Sequence, residues 1–537
     1  MSSQLLANHL ERPRGRGHTP AGACTGAAGG AACGDLIRVS VALDPHSPDG
    51  LIVDAGFDAS GCGAAVATGS ATVELIRGTG LLAAARIGAP EIAAALGGLS
   101  PAKQHAAELA ADALHRALGW AAREHARLAP VPTRTLVAMS GGVDSAVAAL
   151  LVRDGAPAGD GTQDAHAAAS ALHDSPPRAD ADAVAVTLEL WADPENDGER
   201  SCCSAQAVRA AREIAHGMGL AHLSIDLRAE FRAGVVDGWI EGHAAGLTPN
   251  PCVRCNGNVR LDAMLELAER LGASTLATGH YARVQSSRGA RAPERVGEEQ
   301  PSPLAAVEQP LLRVALDESK DQSYALTALS PRSLARLRFP LGELTKQQVR
   351  ELAARAGLAV ARRPDSQDLC FLAGTNGADF LARHGGIQGR SGPIVDRDGR
   401  TLGEHRGVHT VTVGQRHGLG IGGARAGGVR GPLYVLATDA RSATVTVGPR
   451  EQLRTARVHV RDVTLHSDGA RVDAVKVRYR GSRMPCKLEG APRAGTHEQL
   501  QVQMAVQVER TAPGQIACLY AGDVIVGHGT IARSPAI

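Results

Sequence analysis

The chain has 537 residues, 44 % hydrophobic and 21 % charged, more than one hydrophobic core serves, so several domains are expected. A formal net charge of +2 makes no general case for nucleic acid, so such a partner must be argued from local clusters. Ten cysteines over this length do not make a disulfide scaffold, and the absence of an export-like segment or a run of about 18 apolar residues points to a cytoplasmic protein with reactive or metal-binding thiols.

In chain order, residues 1–22 are polar and rich in Arg, Gly and Pro, which predicts a disordered tail. Residues 23–128 carry strand patterns at Leu36–Leu43 and Leu51–Phe57, followed by alanine-rich helical stretches. Pro130-Val131-Pro132 breaks the pattern, so 129–132 reads as a linker. From 133 to 383, strands expected at 184–190, 222–226 and 274–278 alternate with helices at 205–218, 231–245 and 258–271. That alternation predicts a parallel sheet covered by helices on both faces. Two stretches, 153–182 and 285–308, read as surface insertions. Short alternating runs then predict a small β-rich module over 384–447 and a C-terminal β-barrel over 448–533.

The most informative segment is Ser140-Gly141-Gly142-Val143-Asp144-Ser145, between a strand-like run that includes Ala138 and Met139 and a helix-like run from Ala146. A strand turning through two glycines into a helix start points backbone N–H groups at one place, a cradle for phosphate oxygens. Without a Gly-Lys-Ser/Thr signature, γ-phosphoryl transfer is not the first expectation. Cys252 and Cys255 lie at C-x-x-C spacing before a helix, where the dipole favours thiolate, and Cys370 is a third candidate. The spacing alone leaves zinc, redox and iron–sulfur roles open. The adjacent pair Cys202-Cys203 reads as loop or packing residues, and Cys486 and Cys518 as buried small hydrophobes. Arg471, Lys476, Arg478, Arg480, Arg483 and Lys487 cluster around Tyr479 against Asp473, as either a solvated strand face or an RNA contact.

The glycine loop resembles the pyrophosphatase (PP) loop of ATP-dependent adenylating enzymes. Taken with Thr248–Asn256, Ala277–Arg283, Lys320–Tyr324, Ser366–Phe371 and Gly414–Gly420, residues 133 to about 533 resemble tRNA-specific 2-thiouridylases, which thiolate the wobble uridine (U34). The resemblance implies an adenine-nucleotide α-hydrolase-like parallel-sheet domain that uses ATP and Mg²⁺. Nucleotide contacts would come from Ala138, Met139, Ser140, Gly141, Gly142, Val143, Asp144, Ser145, Leu188 and Gly279, with Asp144 positioning the metal. It makes Cys370 the persulfide carrier and Cys255 the nucleophile, joined in a transient disulfide. It assigns tRNA contact to His280, Lys320, Asp321, Gln322, Arg478, Tyr479 and Gln515. Cys252 adds a second possibility, in which Cys252, Cys255 and Cys370 hold three irons of a [4Fe–4S] cluster.

Ala31–Asp35, Ser60–Gly63 and Ser100–His105 are similar to iron–sulfur scaffold proteins of the IscU/NifU N-terminal type, over about residues 23–128. The resemblance implies an α+β domain with a zinc or iron–sulfur site formed by Cys33, Asp35, Cys62 and His105. Ala106 stands where that family has its third cysteine, and Cys24 is a potential helper. Cluster binding, relay of sulfur from a cysteine desulfurase, and docking without metal chemistry all remain readings of this domain. Fusion suggests a tethered donor whose removal slows sulfur supply and spares activity with free sulfide. Rival readings of the whole chain are a non-enzymatic iron–sulfur carrier that binds tRNA, and another adenylating PP-loop synthetase.

Overall fold

The structure, a computed structural model, describes residues 2–29, 34–155, 182–193, 204–285, 309–364, 369–372, 374–421 and 431–533. Both expected insertions therefore lie outside the described residues except at their ends, as does the Cys202-Cys203 pair. No helix among the described residues is long and apolar enough to cross a membrane. The residues group into two compact units. One comprises Met1–Arg228, Asp262–Tyr281 and Ala335–Ala373, and the other Ala229–Leu261, Ala282–Leu334 and Gly374–Ile537.

The first unit contains two sheets. Strands β1 (Cys24–Gly29), β2 (Leu36–Leu43) and β3 (Ile52–Ser60) form an antiparallel sheet in sequential order. The second is parallel, built from β4 (Val131–Ala138), β5 (Asp182–Glu189), β6 (Ala221–Asp226), β7 (Ala273–Thr278) and, beyond 281, β10 (Leu337–Arg338), in the order β10-β7-β4-β5-β6. β5 is buried along almost its whole length, as a continuous apolar run in a sheet covered on both faces must be. The expected strands and the helix expected at 205–218 form within two residues of their anticipated ends, whereas the helices expected at 231–245 and 258–271 are interrupted by π turns at Arg232–Val236 and Asn256–Arg260.

Helix Gln104–Glu124 joins the two sheets. Its alanine-rich surface is buried on more than one side, with Ala106, Ala110, Ala113, Ala117 and Ala121 all inaccessible. Two glycines permit this double contact. A Cβ at Gly26 of β1 would lie 2.1 Å from the Ala113 carbonyl oxygen, and one at Gly119 would lie 1.9 Å from that of Ser224 in β6. Around the contact, His115 Nδ1 lies 2.8 Å from the His222 carbonyl oxygen and Nε2 2.9 Å from that of Ile87, so the neutral ring donates to one of the two. Arg116 forks onto Glu189 with two bonds of 3.0 Å, while Arg209 and Arg212 pair with Asp112.

Two expectations fail here. Residues 1–22 are not a disordered tail, since Ser2–Glu11 is a helix. His9 is buried with Nδ1 2.9 Å from Ser70 Oγ, Arg14 pairs with Glu74 at 2.9 Å, and Gly15 and Gly17 exchange backbone bonds with Phe57. Composition suggested a solvated tail, but these few specific contacts hold the segment down. Nor is 129–132 a free linker. Ala129 N–H bonds the Pro48 carbonyl, and Val131 N–H, already in β4, bonds that of Gly272.

In the second unit, β11 (Gly392–Val395), β12 (Thr401–His405), β13 (Tyr434–Asp439) and β14 (Thr444–Gly448) form a four-stranded sheet in the order β12-β11-β14-β13. β15 (Arg454–Leu465), β16 (Ala474–Lys476), β17 (Met484–Leu488), β18 (Gly495–Glu509), β19 (Ile516–Ala521) and β20 (Val524–Ile531) run β15-β18-β17-β16-β19-β20, and a β15–β20 pairing closes the barrel. The hairpin of β8 (Arg283–Gln285) and β9 (Leu311–Arg313), which flanks the second insertion, adds to β20. The barrel core is mostly Val and Leu, with Val475, Val502 and Ala517 fully buried, as a chain with 2 % aromatics requires.

Candidate active site

β4, the middle strand of the parallel sheet, leads directly into the glycine loop. Gly141 has φ +70°, and a Cβ there would come 2.8 Å from the Ala207 carbonyl oxygen, so both its backbone angle and its surroundings select glycine. Gly142 caps helix Val143–Arg153. Ser145 Oγ accepts from Ser140 N–H at 3.1 Å and donates to the Gly142 carbonyl at 3.0 Å, which fixes the curl of the loop. Gly279, just past β7, must also be small, since a Cβ would sit 2.8 Å from backbone atoms of Asp144 and Ser145. Leu188 lies near the end of neighbouring β5, buried. The expected nucleotide residues are thus gathered at the carboxyl ends of adjacent parallel strands, where open α/β sheets bind ligands.

Two residues that no local pattern marks also meet this loop. Lys346 Nζ lies 2.7 and 2.8 Å from the Asp144 carboxylate oxygens, and Arg363 donates to the Gly141 carbonyl at 3.0 Å. Tyr281, within the Ala277–Arg283 segment, donates its hydroxyl to Asp144 at 2.9 Å. His280 bonds Thr278 Oγ1 through Nδ1 at 2.9 Å and meets the Phe339 ring edge-on. Cys370 opens a short 3₁₀ turn in the same unit, half-buried, ahead of buried Phe371 that packs against Trp191. Asp365–Asp368 of that motif lie outside the described residues.

The C-x-x-C motif belongs to the other unit. Asn250 Oδ1 accepts from Cys252 N–H at 3.1 Å and from Val253 N–H at 3.4 Å, capping helix Pro251–Cys255. Cys255 is buried and Cys252 exposed. Partial desolvation at its base raises the Cys252 thiol pKa, and the nearby Arg260 charge opposes that shift. Of the expected tRNA residues, His280 lies in the first unit, and the others lie in the same unit as this helix. Gln515 Nε2 donates to the Thr248 carbonyl at 2.6 Å, and Tyr324, beside Gln322, donates its hydroxyl to Ile516 at 2.8 Å. The Tyr479 ring lies 6.1 Å from that of Tyr324, and burial followed by the charges of Cys252 and Asp321 raises its pKa. Asp321 is buried and accepts from Ala315 N–H, Ser323 N–H and Ser323 Oγ, which makes it a brace for its own loop. Lys320 and Gln322 flank it, half-buried. In the basic cluster Arg471, Arg478, Arg480 and Lys487 are exposed, whereas Lys476 sits over the Tyr324 ring and Arg483 pairs with Glu318.

In the N-terminal sheet domain, Asp35, Cys62 and His105 offer three ligand atoms within 4.8 Å of one another. Asp35 Oδ2 lies 3.2 Å from the Cys62 thiol and 3.0 Å from His105 Nε2. Burial works to raise the Asp35 pKa, but bonds from Cys62 and His105 outweigh it, and the carboxyl titrates below its usual range. Gly61 lines the pocket, since a Cβ there would be 1.9 Å from Asp35 Oδ1. A carboxylate, a thiol and an imidazole suit zinc, which takes about four such ligands. Cys33 lies outside the described residues, and Ala106 is fully buried. Cys24 does not help: it is buried in β1, and burial followed by Glu124 pushes its thiol up to about 11. Cys486 and Cys518 are likewise buried, with thiols pushed up to about 12 and about 11 by burial first, as small core hydrophobes should be.

Family models match at residues 1–125 (NifU-like N terminal domain), 159–374 (tRNA methyl transferase HUP domain), 378–449 (tRNA methyl transferase PRC-barrel domain) and 452–531 (aminomethyltransferase beta-barrel domain). The bifunctional protein NifU/MnmA of Rubrobacter xylanophilus is 39 % identical over 99 % of this chain and 98 % of its own. The chain belongs to the bifunctional NifU/MnmA family. It is a tRNA 2-thiouridylase of the MnmA type carrying a NifU-like N-terminal domain. The tRNA-specific 2-thiouridylase MnmA of Sorangium cellulosum is 38 % identical over 74 % of the chain and 92 % of its own length, which is what a fusion predicts. The U34-tRNA thiolase NcsA of Methanococcus maripaludis, solved with its [4Fe-4S] cluster, overlaps 45 % of the chain at 14 % identity and TM-score 0.25.

Proposed function

We propose that the chain thiolates C2 of the tRNA wobble uridine in two chemical stages, adenylation and then sulfur transfer. The observation that carries this reading is the Ser140–Ser145 loop, where the left-handed Gly141 turns the end of the central strand into a helix start. Uracil O2 attacks the α-phosphorus of ATP, pyrophosphate departs with the bridging oxygen's electron pair, and the poor leaving oxygen becomes an adenylate. The loop backbone from Ala138 to Ser145, with Leu188 and Gly279, holds the nucleotide. A single half-exposed carboxylate at a helix start fits magnesium, which commonly takes one or two carboxylates plus phosphate oxygens, so Asp144 would hold it. There the ion neutralises phosphate charge.

Sulfur arrives as a persulfide on Cys370. Its terminal sulfur attacks C2 and AMP leaves. The Cys255 thiolate then attacks Cys370 Sγ, so the S–S bond breaks with its electron pair on the base-bound sulfur, and a Cys255–Cys370 disulfide forms. A cellular thiol reductant resets the pair. This route uses two thiols, Cys255 and Cys370, and leaves Cys252 outside the chemistry, whereas a cluster would need Cys252 as well. His280, Lys320, Gln322, Arg478 and Tyr479 contact tRNA, while Asp321 and Gln515 act by bracing the loops that present them. Asp35, Cys62 and His105 bind zinc or an iron–sulfur species, and Cys62 takes sulfur from a cysteine desulfurase. A tRNA substrate places the reaction in the cytoplasm.

Purified full-length protein given ATP, magnesium, sulfide and unmodified tRNA should yield pyrophosphate and 2-thiouridine in equal amounts. Failure to form either would falsify the reading. Zinc bound by the wild type and lost in Cys62→Ser, measured by metal analysis, tests the N-terminal site separately.

A further inference from the structure

Lys346 occupies an unusual position for a lysine. It is the first residue of helix Lys346–Arg355, whose start is locked by a capping box between Thr345 and Gln348, and a cation at a helix N-terminus opposes the helix dipole. Its side chain is only 12 % exposed, so the ammonium is largely stripped of water, a costly placement without a charged partner. That partner is Asp144, itself at the start of helix Val143–Arg153, and Tyr281 holds the same carboxylate. Among the described residues, two positive helix ends and an ammonium therefore meet at the Asp144 carboxylate, with the Arg363 guanidinium on the neighbouring Gly141 carbonyl. This excess of positive potential suits a polyanion better than it suits Asp144 alone.

We propose that Lys346 is a catalytic residue of the adenylation stage, one that exchanges partners. It neutralises Asp144 before nucleotide binds and turns to the phosphate oxygens once Asp144 engages magnesium. As the bond from uracil O2 to the α-phosphorus forms and the bond from phosphorus to the bridging oxygen breaks, Lys346 faces the charge gathering on pyrophosphate. It supplies that charge stabilisation and keeps its proton. This assignment rests on the adenylating reading above.

The test is ATP affinity of the full chain by equilibrium binding, in EDTA and with magnesium, beside pyrophosphate release with tRNA. Lys346→Met should weaken magnesium-free ATP binding about tenfold and slow pyrophosphate release roughly 10²–10³-fold, with Lys346→Arg recovering part of the affinity. Asp144→Asn removes the carboxylate that competes with phosphate for Lys346 and should bind magnesium-free ATP about fivefold tighter, a gain that misfolding cannot produce. Unchanged magnesium-free affinity in Lys346→Met or in Asp144→Asn overturns the assignment and leaves adenylation standing. A wild-type protein that binds no ATP removes both.

Discussion

Replacing Gly119 by alanine sets two effects of opposite sign against each other. Alanine is the better helix former, by about 1 kcal/mol, and Gly119 lies inside helix Gln104–Glu124. The added Cβ, however, would sit 1.9 Å from the Ser224 carbonyl oxygen and 3.2 Å from Ile225 Cδ1. Ordinary contact begins near 3.4 Å, so helix and strand must part by about 3.4 − 1.9 = 1.5 Å. Ser224 is paired with Thr187 in the parallel sheet and cannot swing aside as a side-chain tip could. Overpacking of this kind costs about 1–3 kcal/mol. The shift also stretches the His115–His222 and Arg116–Glu189 bonds, at about 1 kcal/mol each. With the propensity gain subtracted, a loss of about 2–4 kcal/mol remains. Urea unfolding followed by hydrogen exchange on β6 measures it. Gly217→Ala serves as control, since nothing lies within 4 Å of its added Cβ, and it should be neutral or mildly stabilising. If Gly119→Ala proves as stable as the wild type, the helix does not press on the strand as described.

Acid should loosen the same contact. His115 and His222 are fully buried and held well below the ordinary histidine pKa of 6.5, chiefly by burial. Below pH 6.5 the unfolded chain takes up protons that the native state refuses, so stability falls with pH, by about 2 kcal/mol for the pair between 6.5 and 5.5; His222→Asn should roughly halve that slope in pH-dependent melts. Cys255→Ala and Cys370→Ala should each abolish 2-thiouridine formation, by nucleoside mass spectrometry, whereas loss in Cys252→Ala would indicate a cluster. Deleting residues 1–129 removes the helix covering β6, so the remainder should aggregate or lose activity even with sulfide; a soluble remainder fully active with sulfide would refute this.

Legibility in the sequence followed the range of the interaction. The Ser140–Ser145 loop could be read because strand, glycine turn and helix start are written contiguously, and the parallel strands because burial on both faces makes them continuous apolar runs. Lys346 and Arg363 reach that loop from about 200 positions away, and no spacing rule carries that information. The C-x-x-C thiols were visible, but not that one is exposed and the other buried, nor that Asn250 caps their helix. Composition misjudged the N-terminus because it weighs the Arg, Gly and Pro of residues 12–17 and cannot weigh a single buried His9–Ser70 bond. It also misread 129–132, where prolines suggested a tether while Val131 was already paired in a sheet.

That last correction changes how the NifU-like domain must work. A tether raises the effective concentration of a donor and lets it sample many positions. A helix pressed between β1 and β6 instead holds the NifU-like domain still against the catalytic sheet. His105 of the Asp35–Cys62–His105 group and Gly119 of the contact are 14 residues apart on that helix, about 21 Å along its axis, so that group is fixed relative to the catalytic sheet by one rigid rod. Sulfur delivery should then depend on the integrity of the contact rather than on the chain joining the domains. Gly119→Ala should slow thiolation driven by a cysteine desulfurase and cysteine several-fold more than thiolation driven by free sulfide, at a temperature where both variants stay folded by circular dichroism. Equal slowing in the two assays would mean that the contact supports the catalytic sheet alone, and that the domain's sulfur travels by another route.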